Sequence, residues 1–267
     1  MTALIAVAMD PDGWPQLVFR WIHVVAGVLW IGLLYFFNWV NAPFEGTLDP
    51  ETKKKVVPEL RPRALFWFRW GAAWTFVSGL LLAGLLYVHS PVKYFAPLGD
   101  GGVRDPLIAM GGLLVGFVVY DALAKALAKQ NHLITLSIWG IIAIGYGCWL
   151  ESVGASQRAI YIHMGALFGT AMAANVWMRI WPAQRRIITA IKGGQKPADA
   201  DPALAGARSR HNVFMSIPLL LWMVSIHQTV LTSVASNQVA YYNAGILAVG
   251  FAAAHVLFGK APNVKGF

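Results

Sequence analysis

Three histidines, His23, His163 and His227, each stand about six to nine residues inside an apolar stretch of the chain. At 1.5 Å per residue that is roughly 10 Å below the surface of a hydrocarbon layer. Ionisable side chains at such depth are costly, so each is a functional hypothesis in its own right. Histidine is the least costly of them, because the ring can stay neutral and still offer a lone pair. Three imidazoles at one depth on three helices is the pattern that a metal ion or a b-type haem requires. The surroundings suit a flat ligand: His23, Gly27 and Trp30 fall at i, i+4 and i+7 on one helical face, and Gly27 leaves room beside the ring. His163 is followed by Gly165, Ala166, Gly169 and Thr170, which gives a second smooth face. Near His227, Ser225, Gln228 and Thr229 could orient the second ring nitrogen. No carboxylate shares this depth, so the set reads as haem iron ligands and not as a two-histidine, one-carboxylate site. The competing reading needs no cofactor: membrane histidines often serve as hydrogen-bonding core residues, and Gly/Ala faces commonly pack helices together.

The remaining polar residues gather toward the opposite ends of the same stretches. Asn38 and Asn41 are spaced i, i+3, and Asn175 and Arg179 i, i+4; Asn212, His211 and His255 belong to the same half. They suit interhelical hydrogen bonds, or a polar ligand. Asp121 and Lys125 read as a local ion pair, His211 as a solvated or capping residue, and Arg69, among Trp67, Phe68 and Trp70, as a snorkelling side chain.

The elements that must position these residues are apolar helices. The chain is 57% hydrophobic and 12% charged, with a mean hydropathy of +0.56, where a soluble domain carries about 25% charge. An all-α, polytopic transmembrane bundle of about seven helices follows, near 16–41, 64–90, 105–129, 132–151, 157–181, 211–236 and 239–259. The whole of 1–267 reads as a single integral membrane domain, with 182–210 as a cytoplasmic loop. Fifteen Lys and Arg lie in 42–63, 125–129, 182–210 and the C-terminal segment, against Lys93, Arg104 and Arg158 on the other side. The positive-inside rule then places the N-terminus outside and the C-terminus inside. The net charge of +9 is thereby a topology signal and not a nucleic-acid surface. Membrane lipids are the expected surroundings.

One cysteine, Cys148, excludes an internal disulfide, a Cys-rich metal site and an Fe–S cluster, and no C-x-x-C-H is present for a c-type haem. The N-terminus has no basic n-region and reads as mature chain. Walker A, G-x-S-x-G, G-x-G-x-x-G and H-E-x-x-H patterns are absent.

Four stretches carry a resemblance to a known family: HVVAGVLWIGLLYFFNWVNAPFEG, RALFWFRWGAAWTFVSGLLL, HMGALFGTAMAANVWMRIWPAQRRII and SRHNVFMSIPLLLWMVS. They resemble the membrane domain of bacterial membrane-bound urate oxidases (urate hydroxylases), over nearly the whole chain. That resemblance implies a helical domain in the bacterial inner membrane. In that family about eight helices precede a C-terminal cytochrome c domain, and urate is oxidised to 5-hydroxyisourate with electrons passing to the respiratory chain. This chain ends at Phe267 without that domain. The expectation is therefore a haem-b-binding membrane redox protein that exchanges electrons with a separate cytochrome c or other subunits of a membrane complex. Urate oxidation by the chain itself and a cofactor-free accessory or scaffold role both stay open. A fainter similarity links it to small membrane proteins that oxidise protoporphyrinogen, where a first-helix His is associated with b-haem. Both resemblances favour His23 and His163 as ligands, with His227 next.

Overall fold

The computed structural model describes residues 13–89, 95, 104–233, 235 and 238–264. Among the described residues the structure is helical, with no strand. Helix α1 (Gly13–Tyr35) runs on through a π-helical segment, Phe36–Asn41, and a short α-helical turn, Ala42–Thr47. Helix α2 (Pro50–Ala83) ends in a second π-helical segment, Gly84–His89. Helices α3 (Arg104–Ala126) and α4 (His132–Ser152) follow, then α5 (Gln157–Asn175), which passes through a third π segment, Val176–Ile180, into α6 (Trp181–Lys192). Helix α7 (Ala200–Ser225), the single turn α8 (Thr229–Thr232) and α9 (Val239–Lys260) complete the order.

Among the described residues, six helical stretches are long and apolar enough to cross a membrane. Their outward faces carry Val24, Val28, Val115, Val118, Ile141, Val249 and Val256, all exposed. A belt of aliphatic side chains on every flank belongs in hydrocarbon, because water would drive those faces to cluster. Helix α7 is the seventh element of the bundle; its apolar portion, 211–225, is short and mostly buried by neighbours.

Helix α5 occupies the centre. In its apolar stretch 78% of residues are buried, against 39% or fewer in the other five. Its sequence explains this: Gly165, Gly169, Thr170, Ala171 and Ala173 keep the helix thin, and small residues let membrane helices approach closely. Gly169 faces Leu219 of α7, and Gly165 faces Met223. Helices α1 and α2 pack along their length around Gly71, where an added Cβ would lie 3.2 Å from the Trp30 backbone nitrogen.

The ends of the helices follow ordinary capping chemistry. Asp49 accepts from the amides of Glu51 and Thr52 at the start of α2, Asn131 from Leu133 in α4, and Ser156 from Ala159 in α5. Gly154, at φ 78°, turns the chain between α4 and α5.

Two expectations are corrected. The segment 182–210 is not a loop: α6 occupies its first part and α7 begins at Ala200. Ala183 and Ile187 of α6 bury against Ala205 of α7, Arg186 pairs with Asp201, and Gly194, at φ 71°, makes the reversal between the helices. The polar composition reflects the solvated faces of an amphipathic hairpin. Helix α7 also starts and ends eleven residues before the expected 211–236, closing at Ser225. The Ser225 hydroxyl bonds back to the Trp222 carbonyl, and the amides of His227 and Gln228 reach only three residues back. Both tighten the chain into a turn ahead of the polar run that follows.

Candidate functional site

His163 lies at the middle of the bundle and is 1% exposed. Its Nδ1 is 2.8 Å from the Ala159 carbonyl, one turn earlier on α5. A carbonyl oxygen can only accept, so Nδ1 carries the proton and Nε2 holds a bare lone pair. That Nε2 is buried and has no hydrogen-bond partner among the described residues. The rings of Tyr87, at 4.7 Å, and Phe95, at 6.0 Å, close over it. Both groups come from the second π segment of α2 and the connection after it. A buried acceptor without a donor is uncommon, and an imidazole with Nδ1 pinned to a backbone carbonyl is oriented as metal-bound histidines are.

His23, on α1, is only partly buried. Its Nδ1 is 3.2 Å from the Ser78 hydroxyl on α2. Ser78 has one proton, and the Trp74 carbonyl takes it at 2.5 Å. His23 Nδ1 therefore donates. Gly79 makes room for the ring: a Cβ there would stand 2.9 Å from His23 Cε1.

The structure does not bring the three predicted histidines together. His23 meets α2 at Ser78 and His163 meets it at Tyr87. Nine residues separate those contacts, roughly 13 Å along the axis, whereas two imidazoles on one iron face each other across a single porphyrin plane. His227 lies beyond α7, in an exposed turn. No group of three His, Cys, Asp or Glu side chains is placed to hold a metal among the described residues. The glycine faces are occupied as well: Gly27 meets Thr75 at 3.8 Å, Gly165 meets Met223 and Gly169 meets Leu219. Trp30 is buried against α2, with its indole N–H unpartnered. His163 thus has, in its tautomer and its unpartnered Nε2, what a haem iron would need of a ligand, with the Tyr87 and Phe95 rings now lying over that nitrogen.

A second buried constellation is built around Asp121 of α3. Arg179 forks onto both its carboxylate oxygens at 2.9 and 2.5 Å, Arg208 bonds Oδ1 at 2.9 Å, and Lys125 reaches Oδ2 at 2.6 Å. One carboxylate thus faces three cations. Arg208, 3% exposed, lies over the Tyr120 ring. The Tyr120 hydroxyl is 2.9 Å from His211 Nδ1 and accepts from Asn175, whose amide also donates to Asn212. Spacing alone shows the Asp121–Lys125 pair but not Arg208, because the buried α7 segment carrying it resembles a charged loop. His211 is correspondingly a buried network member, 5% exposed, and not a solvated cap. Arg69, half-buried, stacks its guanidinium 4.0 Å over the Trp181 ring, and its Nε is buried without a partner among the described residues.

A third group lies at the same end of the bundle. Glu45, buried, receives Arg61 through two nitrogens and Asn41 at 2.8 Å, and Arg61 also donates to Gln184. These residues border a cavity of about 580 Å³ between α1, α2, α6 and α7.

In comparisons with known proteins, a family model described as urate oxidase N-terminal matches residues 44–263. That stretch contains His163, the Asp121 network and most of the cavity. No curated protein matches the chain, and no solved structure does.

Proposed function

Since the chain belongs to the urate oxidase N-terminal family, we propose that it is the membrane-embedded part of a redox system of that type, with His163 holding the redox group. The observation that carries this reading is the buried Nε2 of His163, held in the ligating tautomer with no partner. Haem b is the group we assign to it. Bound there, it would supply one-electron chemistry, with a potential tuned by its ligand and its burial.

The protein's own residues have separate tasks in this proposal. The Ala159 carbonyl fixes the ring and raises the basicity of Nε2. Tyr87 and Phe95 keep water from that nitrogen. His23, outside the matched stretch and at another level, is assigned to α1–α2 packing through Ser78. Electrons would pass to or from a separate cytochrome c or another respiratory subunit, and urate is the substrate to test first.

The test is the haem content of the purified chain and of His163→Ala. One haem per chain, lost in the variant and kept in His23→Ala, is the expected result. Absence of haem from the unsubstituted chain rejects the assignment. Urate-dependent reduction of an added cytochrome c then separates an enzyme from an electron carrier.

The filled glycine faces favour a second reading, a cofactor-free scaffold that docks other subunits. On that reading His163→Ala changes no spectrum and weakens only assembly.

A further inference from the structure

The cluster around Asp121 holds more positive charge than its carboxylate can match. Arg179 bonds that carboxylate through Nε at 2.9 Å and Nη2 at 2.5 Å, Arg208 through Nη2 at 2.9 Å, and Lys125 through Nζ at 2.6 Å. None of the three pairs with another acid among the described residues. Three positive charges against one negative leave a surplus of two, beside hydrocarbon that screens charge poorly. Arg208 is sealed inside the bundle, but the other two cations reach its surface: the Lys125 side chain is 61% exposed and that of Arg179 26%.

Asp121 can take no more. Each of its oxygens already accepts two bonds, which fills the four lone-pair sites of a carboxylate. The two surface cations still have donors left. A guanidinium has five N–H groups and an ammonium three. Arg179 uses three, the third on the Met178 carbonyl at 3.0 Å, and Lys125 uses one. Two donors on each thus lack a partner among the described residues. The surroundings say what kind of anion meets them. Lys125 is in the last turn of α3, and the exposed Lys129, Gln130 and Asn131 follow it, so the pair stands where the helix leaves the membrane. Trp177 and Trp181 flank Arg179 in sequence, as interfacial aromatic residues do. Toward the membrane interior, Val118 and Leu114 lie seven and eleven residues before Lys125, in line with it on one face of α3, and both are exposed. Met178, beside Arg179, is exposed as well. A cationic pair therefore caps an aliphatic lane.

We propose that Arg179 and Lys125 bind the phosphate of an anionic phospholipid, one acyl chain of which lies along Val118 and Leu114. The phosphate oxygens accept the remaining N–H donors, and the headgroup charge offsets part of the surplus. The aliphatic lane is what favours a lipid over free phosphate. Sixteen residues of continuous helix, roughly 24 Å, separate Arg179 from His163, so the site does not depend on the redox assignment.

The experiment is a titration of the purified full-length chain, in neutral detergent, with phosphatidylglycerol carrying pyrene on one acyl chain, read by energy transfer from the protein's tryptophans. Saturable binding is expected, displaced by unlabelled phosphatidylglycerol but not by equal phosphatidylcholine or by inorganic phosphate. Lys125→Met and Arg179→Met should each weaken it about fivefold, the worth of one basic residue at an anionic surface. Lys55→Met removes the same net charge from an exposed position on α2 and should leave binding unchanged. Lys125 is itself exposed, so Lys125→Met keeps the fold and carries the test if Arg179→Met does not fold. Equal displacement by phosphatidylcholine overturns the proposal, because charge then selects nothing. Displacement by inorganic phosphate overturns it in favour of a free-anion site. Affinity that Lys125→Met leaves unchanged, or that Lys55→Met lowers as much, overturns it as well.

Discussion

At His163 the direction of one hydrogen bond decides what the ring can do. Proton on Nδ1, lone pair on Nε2: the Ala159 carbonyl enforces it, and replacing His163 by Ala removes a group so prepared at the centre of the bundle. The histidines and their chemistry are legible in the sequence. Their mutual placement is not, because depth counted along separate helices carries no information on where α2 meets each one. At Asp121 the ledger differs. Arg208 is buried and depends on this carboxylate, and breaking a buried pair by removing one partner costs about 3–5 kcal/mol. Asp121→Ala should therefore lower the midpoint of thermal unfolding in detergent far more than Asp121→Ala combined with Arg208→Met. Equal losses in the single and double variants would show that the pair is not what holds Arg208. Arg208 itself escapes sequence reading, since an arginine in a polar stretch gives no sign that the stretch is a buried helix.

At the level of elements, helix existence follows from hydropathy and the ends from capping. Asp49 accepts two amides and the Thr52 hydroxyl at the start of α2, and these bonds hold its carboxyl below the usual carboxylate range. A depressed value means the cap is present at neutral pH and is lost as pH falls through that lowered value. The protection of the Glu51 and Thr52 amides, measured against the intrinsic exchange rate at each pH, should accordingly fall in acid, and Asp49→Ala should show the low protection already at pH 7. The α7–α9 contact makes a steric prediction. A Cβ at Gly250 would lie 2.7 Å from Pro218 Cδ and 3.0 Å from its nitrogen. Neither a proline ring nor a backbone atom yields cheaply, so Gly250→Ala should cost on the order of 1–3 kcal/mol. Gly206→Ala, inside α7 with open space around it, should instead raise the melt slightly, by Ala's better helix propensity. The three π segments were invisible to periodicity, because one extra residue per turn shifts a helical pattern no more than ordinary irregularity does. The hairpin of α6 and the start of α7 was hidden for another reason: within 182–210 the buried apolar residues are only Ala183, Ile187 and Ala205.

The whole molecule gathers its basic segments at one end. Arg61 reaches Gln184, Arg208 reaches Asp121, and Arg210 lies over Phe258. This joins the 42–63, 125–129, 182–210 and C-terminal segments that an alternating topology requires to share a side. The positive-inside rule leads us to expect that end in the cytoplasm. A single cysteine placed at Lys196, in Cys148→Ser, should resist a membrane-impermeant thiol reagent in intact cells and react after lysis. Labelling of intact cells would reverse the orientation. Apolar flanks identify the membrane at the sequence level, since lipid-facing residues need only be hydrophobic. The inside of the bundle is less legible for the same reason: helix–helix faces are as apolar as lipid-facing ones.

The reduced-minus-oxidised optical spectrum of the purified chain, taken beside His163→Ala and His23→Ala, tests the central claim most directly. A haem band present in the unsubstituted chain and in His23→Ala, and absent in His163→Ala, is the predicted outcome. No band in any sample, or a band that survives His163→Ala, would contradict it.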